Sequence, residues 1–357
     1  MLSKIRRLLF LIRTKGVKWT YNYIHFITFY DTRNPFLIKL LQWLEPYPSY
    51  IEIEPTTRCS LRCIMCEHTY WDEPSRDMTF EEFKSIIDQF PKLKWIGLTG
   101  IGQSFLNKDF LKMLEYVKSK GVYVELYDDF NLIDEKIAEK LVDLGVERIF
   151  ASIDAATKET YERIRVGGKF ERVINNVRNL DRLKKEKGEY FPELCFHYII
   201  MKENLNEVIK YIELLHSLEL DVTFVQFTRM LHSFEETKNL FVEVPEELIA
   251  EAEEKAKELG IKVMWNLDVP KKKPPINKCT AWTMPFIFVT GHVIPCCAGN
   301  EAKRREFQKA TSLGNVFEQS FRDIWYGKKY KELRRKIRKG EVPPPCVDCP
   351  LFDVKGK

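Results

Sequence analysis

A short apolar strand leads directly into three closely spaced cysteines in YIEIEPTTRCSLRCIMCEH, residues 50–68. These cysteines are Cys59, Cys63 and Cys66, so their spacing is Cys-x3-Cys-x2-Cys. A tetrahedral zinc site or a fully ligated iron–sulfur cluster needs four ligands, and this loop supplies three thiols. The stretch therefore predicts a metal site with one open coordination position, on a loop after a first strand.

His68, two residues beyond Cys66, is the only local candidate for a fourth zinc ligand. The resulting spacing is cramped for zinc, whereas thiolates are the natural ligands of iron–sulfur cores. Zinc stays open as the alternative, and a cluster with one open iron is the main prediction. An open coordination position is typical of a catalytic metal site.

Residues 50–227 alternate between short apolar runs and longer stretches with helical periodicity. Such strand–helix repeats with short connections predict a parallel sheet, either open or closed into a complete or partial barrel. The expected fold class is α/β, with the cysteine triplet at the carboxyl ends of the parallel strands, where ligands bind. Among the possible sheets, a family resemblance carried by the triplet implies a partial (β/α)6 parallel barrel. The predicted strands are Tyr50–Glu54, Trp95–Thr99, Val122–Tyr127, Arg148–Ile153, Cys195–Met201 and Val222–Phe227.

The barrel is predicted to cover residues 49–267, between an N-terminal helical extension and a small C-terminal domain. Residues 1–48 begin with an amphipathic helix whose face carries Leu2, Ile5, Leu9 and Ile12 among basic residues. A second apolar stretch covers residues 36–44, and neither reaches the ~20 apolar residues that span a bilayer. Residues 1–45 are therefore expected either to pack across the barrel or to make a peripheral contact with an anionic membrane.

The composition indicates a soluble globular protein, with 45% hydrophobic and 31% charged residues. The net charge of +5 is small for 357 residues, so nucleic-acid binding is not expected. Nine cysteines occur in a large chain without a signal-peptide pattern, mostly in close groups. This pattern favours metal ligation in a reducing compartment over disulfides, and hence a cytoplasmic location.

The C-terminal domain, residues 268–357, opens with the proline- and lysine-rich stretch DVPKKKPPINK and contains a second cysteine group. This group comprises Cys279, Cys296, Cys346 and Cys349. Four thiolates form a closed site that suits zinc or a fully ligated cluster, and the spacing alone does not choose between them.

The motif CSLRCIMC, just past a first strand and heading a strand–helix series, resembles the radical S-adenosylmethionine (SAM) superfamily over residues 50–227. The resemblance implies that a [4Fe–4S] cluster is held by Cys59, Cys63 and Cys66. It also implies that the amino and carboxylate groups of SAM chelate the open iron. Reductive cleavage of SAM would then yield a 5′-deoxyadenosyl radical that abstracts hydrogen, while the protein binds and orients the reactants.

The resemblance also implies a set of SAM contacts along the chain. In LTGIGQS, two glycines match those that let the backbone approach the methionine portion of SAM. Arg165 in YERIRVGG matches an arginine that meets the SAM carboxylate, a role suited to a guanidinium fork. The implied contacts are Gly100, Gly102, Gln103, Ser152, Asp154, Arg165 and Asn204.

Two positions depart from the family pattern. The family usually has Glu where this chain has Gln103. The amide can still accept a hydrogen bond from the SAM ammonium, but it carries no negative charge. The family commonly shows Asn-Gly after the third strand, where this chain has YDDFN at residues 127–131. Asp128 and Asp129 are expected either to contact substrate or to shape a turn.

The spacing Cys-x11-Gly-x4-Cys, followed by LGNVFEQSFRDIW and a late Cys-x2-Cys, resembles the auxiliary-cluster extensions called SPASM and twitch domains. Four cysteines match the shorter twitch form, which implies one auxiliary [4Fe–4S] cluster bound by Cys279, Cys296, Cys346 and Cys349. Cys297 is expected to be a buried thiol, with a ligand swap with Cys296 as the alternative. Cys195 is expected in the core.

The expected function is hydrogen abstraction from a substrate C–H bond in a biosynthetic or maturation step, with the second cluster assisting. A reducing donor such as flavodoxin or ferredoxin is implied. The resemblance points first to a peptide or protein substrate, with a lipid, an isoprenoid or a small sugar-like metabolite as alternatives. The stretch FTRMLHSFEETKNLF, with Arg229, His232 and Glu235, is expected to line the substrate cavity. A non-catalytic iron–sulfur carrier or sensor is the alternative class.

Overall fold

The computed structural model describes residues 2–29, 32, 34–230, 234–266, 273–297 and 303–354. Strands and helices alternate through the middle of the chain, as the sequence pattern predicts. The helices are α1 Leu2–Phe29, α2 Pro35–Leu44, α3 Phe80–Ile87, α4 Phe110–Ser119, α5 Glu135–Asp143, α6 Lys158–Ile164, α7 Phe170–Glu186, α8 Val208–Ser217, α9 Glu246–Glu258, α10 Arg305–Ala310, α11 Phe321–Trp325 and α12 Lys328–Lys339. The strands are β1 Tyr50–Ile53, β2 Arg62–Cys63, β3 Trp95–Leu98, β4 Tyr123–Asp128, β5 Arg148–Ser152, β6 Arg165–Val166, β7 Glu193–Ile200, β8 Val222–Arg229, β9 Val263–Asn266, β10 Phe286–Ile287, β11 His292–Ile294 and β12 Gly314–Asn315.

The six predicted strands form the parallel centre of one sheet, in the order β1, β3, β4, β5, β7 and β8. The strand β9 adds in parallel beside β8, and β10 adds in parallel beside β1. The strands β11 and β12 continue that edge in antiparallel pairing. Within the described residues the edge strands β9 and β12 do not pair, so the sheet is an incomplete barrel, as predicted.

The helix ends follow local sequence signals. Thr79 caps α3, and the Glu82 side chain returns to the Thr79 backbone N–H, which completes a capping box. The chain leaves α5 through Gly145, whose φ of 59° lies in the left-handed region. These ends direct each helix back across the sheet, where its apolar face packs on strands that are buried on both sides.

The second half of α1 packs across the amino ends of the barrel strands. Gly16 interrupts the helix with φ 81° and ψ 164°, and Trp19 follows this break. The Trp19 ring lies 5.5 Å from the Tyr123 ring, and its Nε1 donates a hydrogen bond to the Glu147 carboxylate. Tyr50, Trp95 and Tyr123 each begin a strand and form one aromatic cluster. This part of α1 therefore packs against the barrel, which is one of the two roles expected of the extension.

The first half of α1 is described only in part. Leu9, expected on the apolar face, is exposed, whereas Leu11 is buried. The side chains of Leu2 and Ile5 lie outside the described residues. The apolar stretch around residues 36–44 forms α2, which Asn34 caps by accepting from the Phe36 backbone N–H.

The C-terminal domain packs beside β1 through an aromatic core. Trp325 lies 5.9 Å from Trp282 and 4.5 Å from Tyr330, measured between ring centroids. Residues 267–272 of the predicted linker lie outside the described part of the chain. The domain limits at residues 48 and 267 therefore stay predictions.

Candidate functional site

A cavity of about 280 Å³ lies at the carboxyl ends of the barrel strands. All three cysteines of the triplet line it, together with loops that follow β1, β3 and β4. The sequence-based expectation that these parts meet at one edge is therefore confirmed. Of the implied SAM contacts, the cavity wall includes Gly100, Gly102, Gln103, Ser152 and Arg165.

The cysteine loop is held by a small antiparallel ribbon. Strand β2, at Arg62 and Cys63, pairs with β6, at Arg165 and Val166. Cys63 therefore lies opposite Arg165 in the register. The Leu61 backbone N–H donates to the Cys59 sulfur at 3.4 Å. The ribbon fixes the loop against the same arginine that the sequence implicates in SAM binding.

The three thiols lie in a site that disfavours an uncompensated negative charge. Burial raises the pKa of Cys59 to about 12 and also raises the pKa of Cys63 and Cys66. Because metal-ligating cysteine is the thiolate, cluster binding must release these protons. Arg165 offsets only part of this effect of burial, and a positively charged iron core would supply further compensation.

The glycine loop after β3 passes very close to the cysteine loop. A Cβ atom on Gly102 would lie 2.4 Å from the Thr56 carbonyl oxygen and 2.7 Å from that of Arg58. Both contacts are with backbone, which cannot swing aside as a side chain can. A side chain at position 102 would therefore push the glycine loop away from the cysteine loop.

Gln103 connects the cysteine loop to the loop after β4. Its Oε1 accepts hydrogen bonds from the backbone N–H and the hydroxyl of Ser60, both at 2.8 Å. Its Nε2 donates to Asp129 Oδ2 at 2.8 Å. The Gln103 amide thus bridges the cysteine loop and the loop after β4. Within the described residues, its side-chain hydrogen bonds are made to Ser60 and Asp129.

The two aspartates after β4 also shape their own turn. Asp128 accepts from the Phe130 backbone N–H at 2.7 Å, and Asp129 accepts from that of Asn131 at 2.9 Å. Burial and the neighbouring Asp129 raise the pKa of Asp128 well above its ordinary value. Both carboxyl groups line the cavity, so the two expected roles, turn formation and contact with a bound molecule, are compatible.

Arg165 is held by a fully buried carboxylate. Its Nε and Nη2 both donate to Asp154 Oδ2, at 2.7 and 2.6 Å. Asp154 Oδ1 accepts from the Ile199 backbone N–H. Asp154 itself does not line the cavity and is fully buried. Within the described residues, its contact with the guanidinium fixes the orientation of Arg165.

Asn204 lies outside the cavity wall and is fully buried. Its Nδ2 donates to the carbonyl oxygens of Asp154 and Ile199, and its Oδ1 accepts from the Met201 backbone N–H. These bonds tie the end of β7 to the end of β5. The implied contact of Asn204 with the nucleoside stays a prediction.

Several cavity residues have no counterpart among the implied contacts. Glu52, Tyr127, His197 and Thr228 line the cavity from strands of the sheet. The His197 Nε2 lies 2.9 Å from the Thr228 hydroxyl. Burial lowers the pKa of His197 to about 4, so the ring is neutral near pH 7. In the sequence, Glu52 and His197 are polar residues within otherwise apolar strand runs. This pattern was the signal that could have predicted their position at the cavity.

Only part of the stretch after β8 reaches the cavity. Arg229 lines it, as expected. Glu235 is exposed and pairs with Lys238, and His232 lies outside the described residues. The expectation that Glu235 faces the substrate cavity is therefore wrong, because the chain turns outward into a surface helical turn at Glu235–Leu240.

The four C-terminal cysteines lie together. Cys279, Cys296 and Cys349 each lie close enough to raise the pKa of Cys346, after the larger effect of burial. Burial likewise raises the pKa of Cys279 to about 12. The Cys349 backbone N–H donates to the Cys346 carbonyl, which closes the Cys-x2-Cys turn. These electrostatic effects place Cys346 near the other three thiols, and a shared cluster site for the four stays a prediction.

Cys297 is half-buried and lines the cavity beside the cysteine triplet. It is therefore not the buried thiol that the sequence suggested. The reason is that β10 pairs with β1, with Phe286 opposite Glu52, and brings the following hairpin to the cavity. Cys195, in contrast, is fully buried beside Phe150 and Phe224, as predicted.

A buried ion pair joins the C-terminal domain to the cavity loops. Glu54 accepts from Arg305 Nη2 at 2.6 Å, and also from the Ile101 backbone N–H in the glycine loop. The Arg305 backbone N–H donates to Glu67, directly after Cys66. Burial raises the pKa of Glu67 to about 7. Arg305 thus contacts the residues at both ends of the cysteine loop, and Glu54 connects this ion pair to the glycine loop.

Within the described residues, no group of three or more His, Cys, Asp or Glu side chains is placed to hold a single metal ion. The zinc alternative therefore finds no support there. A cubane cluster binds each thiolate at a different iron, so it does not require the sulfurs to meet at one point. Thiol donors, a close backbone approach at Gly102 and an adjoining cavity together fit a cluster with a bound small molecule.

An incomplete parallel barrel with a thiol-lined cavity at its carboxyl edge defines the class, a metal-cluster enzyme of the β/α-barrel type. The model of the radical SAM superfamily matches residues 53–215, and that of the SPASM iron–sulfur cluster-binding domain matches residues 279–350. The chain therefore belongs to the radical SAM superfamily and has a SPASM-type C-terminal domain. It is an enzyme that uses SAM and [4Fe–4S] clusters.

Two curated relatives are similar over most of the chain. The chain is 27% identical over 334 residues to the tungsten-containing aldehyde ferredoxin oxidoreductase cofactor-modifying protein of Pyrococcus furiosus, with 85% of this chain and 88% of that protein covered. It is 26% identical over 321 residues to the AdoMet-dependent heme synthase of Methanosarcina barkeri, with 82% and 86% covered.

The solved structures show the same fold. Streptococcus suis SuiB bound to its precursor peptide SuiA matches with a TM-score of 0.65 at 12% identity, covering 97% of this chain and 90% of that chain. The likeness extends over the barrel and the C-terminal domain alike.

Proposed function

We propose that the protein is a maturase that abstracts hydrogen from a C–H bond of a peptide or protein side chain. Cys59, Cys63 and Cys66 would hold the [4Fe–4S] cluster that, with SAM and an electron, supplies a 5′-deoxyadenosyl radical. The observation that carries the proposal is the convergence of these three thiols, the glycine loop and Arg165 on one cavity.

The residues of this chain would bind and orient the reactants. Asp154 holds the Arg165 guanidinium in place, so that it can meet the SAM carboxylate without first reorganising. Gly102 lets the glycine loop pack directly against the cysteine loop, which would keep both loops in place around SAM. Leu61, Met65 and Phe286 line the cavity with apolar surface, which excludes water from a reactive intermediate.

Cys279, Cys296, Cys346 and Cys349 would hold the auxiliary [4Fe–4S] cluster. Four thiolates leave no iron free for substrate, so an electron-transfer or structural role fits better than direct substrate binding. A reducing donor such as flavodoxin or ferredoxin would supply the electron, and we place the enzyme in the cytoplasm, where thiols stay reduced.

A small-molecule cofactor is the second candidate substrate. Two observations favour it: the similar proteins of P. furiosus and M. barkeri are a cofactor-modifying protein and a heme synthase by name. The peptide proposal is supported by the fold shared with SuiB, which was solved with a precursor peptide.

The chemistry is tested by anaerobic reconstitution, addition of dithionite and SAM, and measurement of 5′-deoxyadenosine. We expect product from the wild type and from Cys195→Ala, whose thiol is in the core, and none from Cys63→Ala. An iron-loaded wild type that forms no 5′-deoxyadenosine would support the carrier or sensor alternative.

The substrate class is tested by deuterium transfer. The reconstituted enzyme is incubated with a deuterated extract of its source, separated into a peptide fraction and a small-molecule fraction. Deuterium in 5′-deoxyadenosine from the peptide fraction alone would support the proposal. Transfer from the small-molecule fraction alone would replace it with the cofactor candidate.

A further inference from the structure

The N-terminal extension carries most of the exposed apolar surface of the described residues. Of the fifteen exposed large hydrophobic side chains, eight lie in α1 and α2. Trp43 is 78% exposed, Phe36 71% and Val17 70%, whereas outside the extension no such side chain exceeds 45%. Soluble proteins rarely leave large apolar patches uncovered unless the patch binds something.

In α2, the exposed apolar residues form one face of the helix. Phe36, Trp43 and Leu44 are exposed and Leu40 is half-buried, at the i, i+4, i+7 and i+8 spacing of a single face. Ile38 and Leu41 are buried on the opposite face. The helix therefore packs on the protein with one apolar face and leaves a second apolar face outward.

In α1, the segment after Gly16 has the same two-sided character. Trp19 packs on the barrel, whereas Val17, Tyr21 and Ile24 are exposed at i, i+4 and i+7. We name the exposed apolar residues of both helices the N-terminal face: Leu8, Leu9, Val17, Tyr21, Ile24, Phe36, Trp43 and Leu44.

The charge around this face is strongly basic. Residues 1–48 contain eight lysines and arginines and two acidic residues, a net charge of +6, whereas the whole chain carries +5. The other 309 residues together are therefore close to neutral. Among the basic residues, Arg13, Lys18 and Lys39 are exposed beside the apolar positions.

We propose that the N-terminal face docks the enzyme on an anionic lipid surface. Apolar and aromatic side chains would enter the headgroup region while the surrounding lysines and arginines meet anionic lipids. The basic charge favours this occupant over a second copy of the chain, because two such faces would repel each other. Within the described residues no helix is long and apolar enough to cross the bilayer, so docking would be peripheral.

The docked arrangement leaves the cavity accessible. The second half of α1 covers the amino ends of the strands, whereas the cavity lies at their carboxyl ends. The proposal is independent of the substrate, because neither α1 nor α2 lines the cavity.

The test is sedimentation of the full reconstituted chain with vesicles of phosphatidylcholine alone or mixed with phosphatidylglycerol. We expect the protein to sediment with the anionic vesicles, to stay in the supernatant with the neutral ones, and to be released by salt. The Phe36→Ser/Trp43→Ser variant should bind about tenfold more weakly. The R13Q/K18Q/K39Q variant should also bind about tenfold more weakly.

Matched controls separate this face from general effects. Met264→Ser/Tyr326→Ser removes exposed apolar residues elsewhere, and K92Q/K202Q/K257Q removes the same number of exposed charges. Both controls should bind within about twofold of the wild type. Equal losses in control and test variants, or no sedimentation with anionic vesicles, would overturn the proposal.

Size-exclusion chromatography with light scattering tests whether a second copy of the chain, in place of lipid, covers the N-terminal face. A monomeric wild type supports the lipid proposal. A dimer that Phe36→Ser/Trp43→Ser converts to a monomer would assign the face to self-association and overturn it.

Discussion

Gln103 and Asp129 are hydrogen-bonded across the cavity wall, with the amide Nε2 donating to the carboxylate Oδ2 at 2.8 Å. Both lie at positions where the chain departs from its family, which usually has Glu at the first and Asn-Gly after the third strand. In this chain the glycine loop supplies the amide and the loop after β4 supplies the carboxylate.

This hydrogen bond predicts the effect of placing Glu at position 103. Gln103→Glu would place two carboxylates in contact in a buried site, and we expect a loss of about 1–3 kcal/mol in the free energy of unfolding. The double variant Gln103→Glu/Asp129→Asn again pairs one carboxylate with one amide, so it should recover most of that loss. Denaturant unfolding of the three proteins measures it, and a double variant no better than Gln103→Glu would contradict the pairing.

The auxiliary site is predicted to hold half of the iron. Cys346→Ala should lower the iron content of the reconstituted protein by about half, because the triplet keeps its own cluster. Cys297→Ser, which changes a neighbouring thiol outside the proposed ligand set, should keep the full content. Iron analysis decides, and an iron loss in Cys297→Ser would instead support the ligand swap with Cys296.

Glu54 and Arg305 form a buried ion pair whose two members should behave as a unit. Glu54→Gln leaves a buried guanidinium without its counter-charge, and we expect a loss of about 3–5 kcal/mol in stability. Adding Arg305→Met should recover part of it, because the uncompensated charge is removed. As a control, Arg182→Met breaks surface pairs and should leave stability nearly unchanged. A Glu54→Gln variant as stable as this control would show that the pair contributes little.

Gly102→Ala is predicted to disturb the cavity more than a glycine change elsewhere. Its Cβ would meet the backbone of Thr56 and Arg58, so the glycine loop must move away from the cysteine loop. SAM affinity should fall about tenfold or more, since a misplacement near 1 Å weakens a positioned site. Gly188→Ala, with φ 65° and open space around it, should cost stability but leave SAM affinity unchanged. Equilibrium binding of SAM compares the two, and equal affinities would refute the steric argument.

His197 predicts a specific dependence of stability on pH. Its pKa is about 4 in the folded protein and 6.5 when unfolded, so between these values the unfolded state binds more protons. Stability contributed by the neutral ring is present above pH 6.5 and is lost as the pH falls toward 4. Relative to His197→Gln, the wild type should lose about 3 kcal/mol over that range. The free energy of unfolding of both proteins is measured as a function of pH, and coinciding profiles would contradict this prediction.

The barrel and the cysteine sites were predictable because their signals are local. Strand runs, the capping box at Thr79 and the cysteine spacings all depend on neighbours within a few residues. Cys297 was not placed in the cavity, because its position depends on the pairing of β10 with β1, more than two hundred residues apart in sequence. For Leu9, helical periodicity predicted the apolar face that it shares, but not whether the protein covers that face.

The role of the implied SAM residues was predictable only in part. Asp154 and Asn204 follow strands at the correct edge, yet both turn their polar atoms toward neighbouring strands. Position in a motif indicates proximity to the site. Which partner a side chain chooses depends on the packed surroundings, which the sequence pattern does not describe.

Arg305 contacts Glu54 with its side chain and Glu67 with its backbone, so one residue of the C-terminal domain holds both ends of the loop that carries the cysteine triplet. This limits the modularity of the chain. A chimaera that exchanges the C-terminal domain for that of another superfamily member would leave Glu54 buried without a cation, unless the donor domain brings an equivalent arginine. Domain shuffling in this lineage would therefore have to carry the acidic partners and the arginine together.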